Sequence, residues 1–359
     1  MNSVEKLFSK IKENEAVVFI KPENRRYFTG MNTSNGLLLA TSDKAWFFTD
    51  FRYIVDAKIK VKDPVKVELL DGSFVNTVKK KLEAEGKNVT KIYLEQGYLS
   101  YLSVKSFMDG LTGYEFDNGD NFAVSLRVEK TEEEISYIKQ AQKITDDAFT
   151  HIVDYISSNW KKGITEKDIA FELEFHMHKN GAKGLAFDTI VASGANGAMC
   201  HAVPSDKPIN DGDMITMDYG AAFNDYCSDM TRTVAVGHVN EEQEKIYNIV
   251  LEAQLNALKN IKAGLTGKEC DAFARDIIEK AGYGPDFGHS LGHGVGINIH
   301  EGPNFSSGFT GQINVNAVMS VEPGIYLEGN CGVRIEDLVV VKENGAEDIT
   351  HSEKKLLIL

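Results

Sequence analysis

Short apolar runs and amphipathic stretches alternate along the first third of the chain. The apolar runs are rich in branched and aromatic residues and are bounded by charged or turn-forming residues, which is typical of strands. Two stretches, residues 76–85 and 99–109, instead repeat their apolar residues with helical spacing. The predicted strands cover residues 16–20, 36–40, 45–49, 65–70 and 91–94. This alternation predicts a small α/β domain.

A change of pattern near residue 125 predicts a domain boundary. The segment NFAVSLRVEK, residues 121–130, lacks helical periodicity and leads into a long amphipathic pattern. Thr131 and Glu134 have the spacing of a capping box, which marks the start of a helix. At 359 residues the chain is also longer than a single core usually supports. We therefore predict an N-terminal domain over residues 1–125 and a second domain over residues 126–359.

The second domain contains a weak internal repeat. Thr165 and Thr266, about 100 residues apart, each begin a helical pattern with a capping-box-like start. A histidine motif follows each helix at nearly the same distance, HAVP at residues 201–204 and HEGP at residues 300–303. Chance and common capping chemistry would also give such a pattern, because the identities are few. We favour two similar halves that each deliver a histidine to a shared cleft.

The composition is that of an ordinary soluble globular protein. Hydrophobic residues make up 42% of the chain, and the mean hydropathy is −0.25. No apolar run approaches the roughly 18 residues that a membrane-spanning helix needs. The charged N-terminus also lacks the apolar core of a secretory signal. We therefore expect a cytoplasmic protein without a membrane partner.

Charge and cysteine spacing argue against two further classes of protein. The formal net charge of −14 disfavours a nucleic-acid binder, because such proteins neutralise phosphates with a basic face. The four cysteines lack the C-x-x-C spacing of a zinc knuckle and do not indicate a disulfide framework. Divalent cations are more natural partners for so acidic a chain.

Two aspartates interrupt runs that otherwise read as strands. A turn signal at Asn224 and Asp225 lies between Asp218 and Asp229. A hairpin with this turn would place the two aspartates 218 and 229 roughly across from each other on neighbouring strands. Acids are poor strand residues, and like charges that face each other in a sheet repel. The pattern therefore predicts that a positive group neutralises them.

More acids and histidines follow in the last quarter of the chain. A glycine-rich segment, residues 288–303, contains His289, His293 and His300. Glu322 and Glu336 each lie among apolar, strand-like residues. Carboxylate ligands together with one imidazole suit Mn²⁺, Co²⁺ or Zn²⁺. Four carboxylates can bridge two divalent ions, so we predict a two-metal site.

At these positions the sequence resembles the pita-bread metallopeptidases, in the branch of the Xaa-Pro aminopeptidases (aminopeptidase P) and prolidases. The resemblance covers essentially the whole chain. It implies an α+β fold class, with a C-terminal pita-bread domain that has an internal pseudo-twofold repeat and a smaller N-terminal creatinase-like α/β domain. It also implies that Asp218 chelates one metal, that Asp229 and Glu336 bridge both, and that His293 and Glu322 complete the other site.

The resemblance further implies a mechanism. A hydroxide bridging the metals attacks the scissile carbonyl, with Glu322 as the general base. His201 and His300 stabilise the tetrahedral intermediate or hold neighbouring carbonyls, and His289 helps to form a pocket for the proline ring. Arg334 orients a ligand acid and the substrate, although a structural salt bridge to a neighbouring acid explains it equally well.

The expected activity is removal of the N-terminal residue from short peptides with an Xaa-Pro bond. The expected cofactors are two divalent ions per subunit, with Mn²⁺ favoured over Co²⁺ or Zn²⁺, and the expected assembly is a homodimer. One alternative is an Xaa-Pro dipeptidase (prolidase). Another is a catalytically inactive pseudoenzyme that only binds peptides.

The other histidines carry no predicted chemistry. His176 and His178 are two residues apart on a predicted helix, so they face different sides and are expected at the surface. His151, His238 and His351 each stand alone in the sequence and are expected to be surface residues as well.

Overall fold

The computed structural model describes residues 2–86 and 88–359, and the chain divides into two compact units, residues 1–127 and 128–359. The predicted boundary falls inside the last helix of the first unit, Asp120–Arg127. Residues 121–127 therefore form a helix although their sequence lacks clear helical periodicity. This helix has only eight residues and buries Ala123, Leu126 and Arg127, which is too short a pattern to show a helical period.

The first unit is a mixed six-stranded sheet with helices on both faces. The strands are β1 (Glu15–Phe19), β2 (Gly36–Ala40), β3 (Ala45–Thr49), β4 (Val65–Leu69), β5 (Lys91–Leu94) and β6 (Glu115–Asn118). Their order in the sheet is β4-β3-β2-β1-β5-β6, with β1–β2 and β2–β3 antiparallel and the other pairs parallel. The helices are α1 (Ser3–Phe8), α2 (Pro22–Thr29), α3 (Ile54–Lys60), α4 (Phe74–Glu85), α5 (Tyr101–Gly110) and α6 (Asp120–Arg127).

Alternation along the central strands builds two separate cores in this unit. Val17 and Phe19 of β1 face a core shared with α1, α2, α3 and α6, whereas Ala16 and Val18 face a core shared with α4 and α5. The predicted α/β domain and its first five strands are confirmed to within one residue at each end. Strand β6 was not predicted, because its side chains are mostly exposed and polar.

The second unit contains four long helices and many short antiparallel strands. The helices are α7 (Glu132–Asn159), α8 (Glu166–Lys179), α9 (Glu241–Asn260) and α10 (Gly267–Lys280). The strands are β7 (Gly184–Leu185), β8 (Ile190–Ser193), β9 (Met214–Tyr219), β10 (Ala221–Phe223), β11 (Tyr226–Cys227), β12 (Met230–Ala235), β13 (Gly292–Gly294), β14 (Glu301–Phe305), β15 (Val318–Val321), β16 (Gly324–Leu327), β17 (Cys331–Arg334), β18 (Asp337–Lys342) and β19 (Gly345–Asp348). None of the helices in the described part of the chain is long and apolar enough to cross a membrane.

The second unit is built from two similar halves. Helices α7 and α8 pack on the sheet β8-β9-β12, and helices α9 and α10 pack on β14, β15 and β18. Thr165 and Thr266 are the N-caps of α8 and α10, and both complete a capping box. Each N-cap also forms an isolated bridge to a later segment, Thr165 to Pro208 and Thr266 to Gln312. The architecture therefore agrees with the predicted internal repeat.

The predicted hairpin is present, but its acids are not directly opposed. Strands β10 and β11 turn at Asn224 and Asp225, whose φ angles of 52° and 66° suit a tight hairpin turn. The longer ladder of β9 and β12 pairs Asp218 with Thr231 and not with Asp229. Asp229 lies just outside this ladder, because the chain leaves it to form the β10–β11 hairpin. The two acids are therefore offset along the sheet.

A buried ion pair fastens β12 to β18. Arg232 Nη2 lies 2.7 Å from Asp337 Oδ1, and the two side chains are 1% and 0% exposed. Arg232 Nη1 also donates to the carbonyl oxygen of Glu336 at 2.6 Å, and Nε donates to the carbonyl oxygen of Glu353 at 2.9 Å. Gln254 donates to the other carboxylate oxygen of Asp337 at 2.7 Å. The pair is thus fully hydrogen-bonded, as a buried charge requires.

Replacing Asp337 by alanine should lower the free energy of unfolding by about 3–5 kcal/mol, because it leaves the buried Arg232 charge uncompensated. Urea denaturation measures this loss. Asp147→Ala is the matched control, since Asp147 forms an exposed ion pair with Lys143 at 2.6 Å. That control should change the free energy by less than about 0.5 kcal/mol. Equal effects of the two variants would contradict the importance of the Arg232 pair.

Candidate metal centre

The two halves of the second unit enclose a cavity of about 670 Å³. Its wall is contributed by strands of both halves and by the loops that follow α8 and α10. All nine site residues predicted from the sequence line this one cavity: His201, Asp218, Asp229, His289, His293, His300, Glu322, Arg334 and Glu336. The structure therefore brings together residues that span 136 positions of the chain, from 201 to 336.

The four carboxylates occupy matching positions in the two halves. Asp218 lies near the end of β9, and Glu322 directly follows β15. Asp229 directly precedes β12, and Glu336 directly precedes β18. Each half thus contributes one acid at the end of a strand and one at the start of the neighbouring strand. Strand ends are rigid supports, which favours a site with fixed ligand geometry.

His293, on β13, turns one ring nitrogen towards the acids. Its Nε2 lies 3.6 Å from Asp229 Oδ2 and 3.4 Å from Glu322 Oε1. Its Nδ1 donates to the carbonyl oxygen of Gly294 at 3.1 Å, which leaves the Nε2 lone pair free to bind a cation. The ligand atoms of Asp229, His293 and Glu336 all lie within 4.8 Å of one another. Burial lowers the pKa of His293 to about 4, so the ring is neutral at physiological pH.

The carboxylates disfavour one another's charge. Burial raises the pKa of Glu322 to about 8, with Asp218 adding to the effect and Arg334 opposing it. Burial and the charges of Asp218 and Glu322 raise the pKa of Asp229 well above its usual range. Burial and the charge of Asp229 do the same to the pKa of Glu336. The cluster therefore lacks positive charge, which one or two divalent cations would supply.

A second observation also points to a cation. Asp218 Oδ1 is buried and has no hydrogen-bond partner among the residues that the structure describes. Its other oxygen, Oδ2, accepts from Arg334 Nη2 at 2.6 Å. A buried carboxylate oxygen without a partner is costly unless something outside the protein binds it. Carboxylates with one imidazole suit Mn²⁺, Co²⁺ or Zn²⁺, so the residues present fit the implied metals.

Arg334 connects the acids to the rest of the cavity wall. Its Nη1 donates to the hydroxyl of Tyr326 at 2.9 Å, and this hydroxyl lies 2.9 Å from His289 Nε2. His289 Nδ1 donates to the carbonyl oxygen of Ser290 at 2.8 Å. Burial lowers the pKa of His289 to about 4, so its ring is neutral. Its Nε2 therefore accepts the hydrogen bond that the Tyr326 hydroxyl donates. A continuous hydrogen-bonded chain therefore joins Asp218 to His289.

His201 and His300 lie at the exposed side of the cavity. Both side chains are exposed, in contrast to the half-buried His289 and His293. The ring of His300 packs edge-on against the ring of His293, with centroids 4.3 Å apart. His201 lies on the loop that follows β8. The two histidines are therefore accessible to a molecule that enters the cavity.

Sequence reasoning missed Tyr326 and Thr231. The hydroxyl of Thr231 donates to Glu336 Oε2 at 2.6 Å and accepts from Arg334 Nε at 2.9 Å. Thr231 lies in β12, two residues after Asp229. Residues two apart in a strand point to the same face, and this spacing was the available signal. Tyr326 follows Glu322 in the motif VEPGIY, but nothing in its spacing indicates that its hydroxyl reaches Arg334.

The remaining histidines lie away from this cavity, but not all of them stand alone. The ring of His151 stacks on that of His176 with centroids 4.2 Å apart, and its Nε2 lies 2.6 Å from Glu172 Oε1. His238 Nδ1 lies 3.0 Å from Asp211 Oδ1. His238 is exposed as expected, with 70% of its side chain accessible. His151 and His176 are instead half-buried, because the helices α7 and α8 that carry them pack together.

Comparison with known proteins places the chain in a family. Residues 136–343 match the sequence profile of Metallopeptidase family M24, and residues 4–129 match that of the Creatinase/Prolidase N-terminal domain. An Xaa-Pro dipeptidase from Pyrococcus furiosus is 40% identical over 357 residues, which cover 99% of each chain.

Solved structures give the same result. An Xaa-Pro dipeptidase from Bacillus anthracis superposes with a TM-score of 0.94 and 40% identity over 99% of each chain. An X-Pro aminopeptidase from Thermotoga maritima superposes with a TM-score of 0.89 and 38% identity over 98% of this chain and 99% of that one. This chain therefore belongs to metallopeptidase family M24, with a pita-bread domain preceded by a creatinase-type N-terminal domain.

Proposed function

We propose that this protein is a dinuclear-metal exopeptidase that hydrolyses Xaa-Pro bonds at the N-terminus of peptides. The observation that carries the proposal is the convergence of four carboxylates and the neutral His293 on one cavity, with too little positive charge among them. A peptide-binding pseudoenzyme would not need such a cluster. All five expected ligands are present, which supports an active enzyme.

The proposed ligands divide between two cations. Asp218 would bind one ion, His293 and Glu322 would complete the site of the other, and Asp229 and Glu336 would bridge both. Mn²⁺ is the favoured ion, with Co²⁺ and Zn²⁺ as the other candidates. When bound, the cations would polarise the substrate carbonyl and lower the pKa of a water molecule that becomes the nucleophile.

The surrounding residues have separate roles in the proposed reaction. Glu322 lines the cavity 3.4 Å from His293 Nε2, where it would take a proton from the attacking water and return it to the leaving nitrogen as a general base. The exposed His201 and His300 would donate hydrogen bonds to the oxyanion that develops on the substrate carbonyl. His289 would form part of the proline-ring pocket, and Arg334 would hold Asp218 in place.

The charge of the cavity favours an aminopeptidase over a dipeptidase. A dipeptidase must bind the free carboxylate of proline, and a buried carboxylate needs a cationic partner. Among the described residues that line the cavity, Arg334 carries the one permanent positive charge, and Asp218 already pairs with it. His289 is neutral. In a longer peptide the proline carboxyl group is part of a peptide bond, which carries no charge and needs no cationic partner.

An Xaa-Pro dipeptidase remains the second candidate function. The relatives from Pyrococcus furiosus and Bacillus anthracis both carry that name at 40% identity. In that case the exposed His201 or His300, which both line the cavity, would have to contact the proline carboxylate. The two functions differ in one measurable preference, which the substrate prediction below addresses.

We further propose that the protein acts as a cytoplasmic homodimer on short proline-containing peptides. Phe51, Val55 and Ile59 follow one another at helical spacing near α3 and are 80%, 69% and 77% exposed. An exposed apolar stripe of this kind is typical of a protein–protein interface. The four cysteines are thiols, which suits a reducing compartment.

Removing divalent ions with a chelator should abolish hydrolysis, and Mn²⁺ should restore it with two ions bound per chain. At a free Mn²⁺ concentration about 1,000 times Kd, one bound ion stabilises the folded state by about 4 kcal/mol. Asp229→Ala should lose both metal and activity. His176→Ala is the control and should lose neither. Metal analysis, thermal unfolding and peptide hydrolysis measure these effects, and retention of metal and activity in Asp229→Ala would refute the site.

The reloaded enzyme should prefer an Xaa-Pro-Yaa tripeptide to the matching Xaa-Pro dipeptide. We expect a kcat/KM ratio of about 10 to 100, because an unpaired buried charge costs about 1–3 kcal/mol or more. Mass spectrometry of the products should show release of the first residue alone. The reverse preference would show that the protein is a dipeptidase. Cleavage of neither peptide with metal bound would contradict both.

Tyr326→Phe should lower kcat/KM for the tripeptide by about 10- to 100-fold, because it removes a hydrogen bond to the charged Arg334, worth about 1.5–3 kcal/mol. Metal content should not change, since the bond from Arg334 to Asp218 remains. Tyr247→Phe is the matched control, because the buried Tyr247 hydroxyl donates to the carbonyl oxygen of Lys354 at 2.8 Å. It should cost stability without changing kcat/KM. Equal activities of both variants would exclude a role for the Tyr326 hydroxyl.

A further inference from the structure

The loop that carries His201 needs an anchor. This His201 loop, residues 194–204, leaves the end of β8 and contains a single 3₁₀ segment, Gly194–Ala198. Two turn hydrogen bonds shape its middle, from Met199 N to Asn196 O at 2.9 Å and from Ala202 N to Met199 O at 3.1 Å. His201 itself is exposed on the cavity side. The position of its ring therefore depends on how the ends of the loop are held.

Glu166 holds both ends of the His201 loop. Its Oε1 accepts from the backbone N and the hydroxyl of Ser193, before the loop, at 2.7 and 2.8 Å. Its Oε2 accepts from the backbone N and the hydroxyl of Ser205, after the loop, at 3.0 and 2.7 Å. The side-chain amide of Asn196, within the loop, also donates to Glu166 Oε1 at 3.1 Å. One carboxylate thus ties together three points that span the whole loop.

The chemistry at this point requires a carboxylate. Glu166 is 0% exposed, and every group that contacts it here is a hydrogen-bond donor. Burial opposes its ionisation, but the hydrogen bonds from Ser205 and Ser193 outweigh burial and lower its pKa. A glutamine would keep one acceptor oxygen and present an NH₂ group to donors. The shape of the two residues is nearly the same, so the substitution tests charge and hydrogen bonding.

The equivalent place in the second half has no carboxylate. Glu166 is the first residue of α8, directly after the N-cap Thr165, and Gly267 has the same place in α10 after Thr266. A Cβ added at Gly267 would lie 2.0 Å from the carbonyl oxygen of Asn304. The second half therefore packs its backbone directly against the helix start. The carboxylate is specific to the half that carries the His201 loop.

From this geometry we propose that Glu166 is a positioning residue for His201. It does not face the cavity and acts by fixing both ends of the loop, so that the His201 ring points at the reacting carbonyl. The inference rests on the proposed function, in which His201 donates to the oxyanion. Glu166 is not among the residues that line the cavity, so it would influence the reaction from outside the site.

The first test compares Glu166→Gln with the Mn²⁺-loaded wild type on the Xaa-Pro-Yaa tripeptide. We expect kcat/KM to fall about 10- to 100-fold, because a displacement of about 1 Å in a catalytic group has an effect of that size. Metal content should stay at the wild-type value. Asp168→Asn is the matched control, since Asp168 is exposed in the same first turn and its carboxylate accepts a hydrogen bond from the backbone N of the N-cap Thr165 at 2.8 Å. An equal loss in that control would overturn the inference.

A double-mutant cycle with His201→Ala separates positioning from general stability. If Glu166 acts through His201, Glu166→Gln should reduce kcat/KM less than about 2-fold when His201 is already alanine. The same loss in both backgrounds would overturn the inference. If Glu166→Gln does not fold, Ser205→Ala enters the same cycle; it removes the hydroxyl's hydrogen bond to Glu166 at 2.7 Å and the one that this hydroxyl accepts from Lys207 N at 3.1 Å. If His201→Ala alone retains wild-type activity, the proposed role of His201 fails first, which distinguishes that failure from an error about Glu166.

Discussion

The repulsion among four carboxylates in one cavity is the constraint on which the rest of the second unit depends. Asp218, Asp229, Glu322 and Glu336 converge on it, and burial with mutual repulsion raises the pKa of the last three. A fold can tolerate this only if the acids are held rigidly and a positive charge is supplied. Strand ends provide the rigidity, and Arg334 supplies one charge. The remaining deficit explains why the residues fit divalent cations.

The internal repeat explains how one chain brings the acids together. Each half presents two acids on neighbouring strands, and the Arg232–Asp337 pair fastens β12 of one half to β18 of the other. The two halves differ in the other residues that they place at or near the cavity. The second half provides His293 on β13, whereas the first half provides the His201 loop and the buried Glu166 that holds it. The four acids therefore follow the repeat, whereas His293 and Glu166 are departures from it.

Much of this could be predicted from the sequence where local pattern and local structure coincide. Strands β2, β3 and β5 have strong apolar runs and were predicted with their observed bounds. The acids at 218, 229, 322 and 336 were identifiable because an acid in an apolar strand is unusual. Helix α6 and strand β6 were missed because one is short and the other polar. Tyr326 and Glu166 act through contacts between distant segments, which spacing along the chain does not reveal.

On this structure, the carboxylate cluster would bind two cations. The most direct measurement is an anomalous difference map from crystals of the Mn²⁺-loaded protein, recorded on both sides of the manganese absorption edge. Two peaks are expected in the cavity, about 3.5–4 Å apart, with Asp229 and Glu336 between them. The absence of any peak there, or a single peak without contact to these two residues, would contradict a two-metal site.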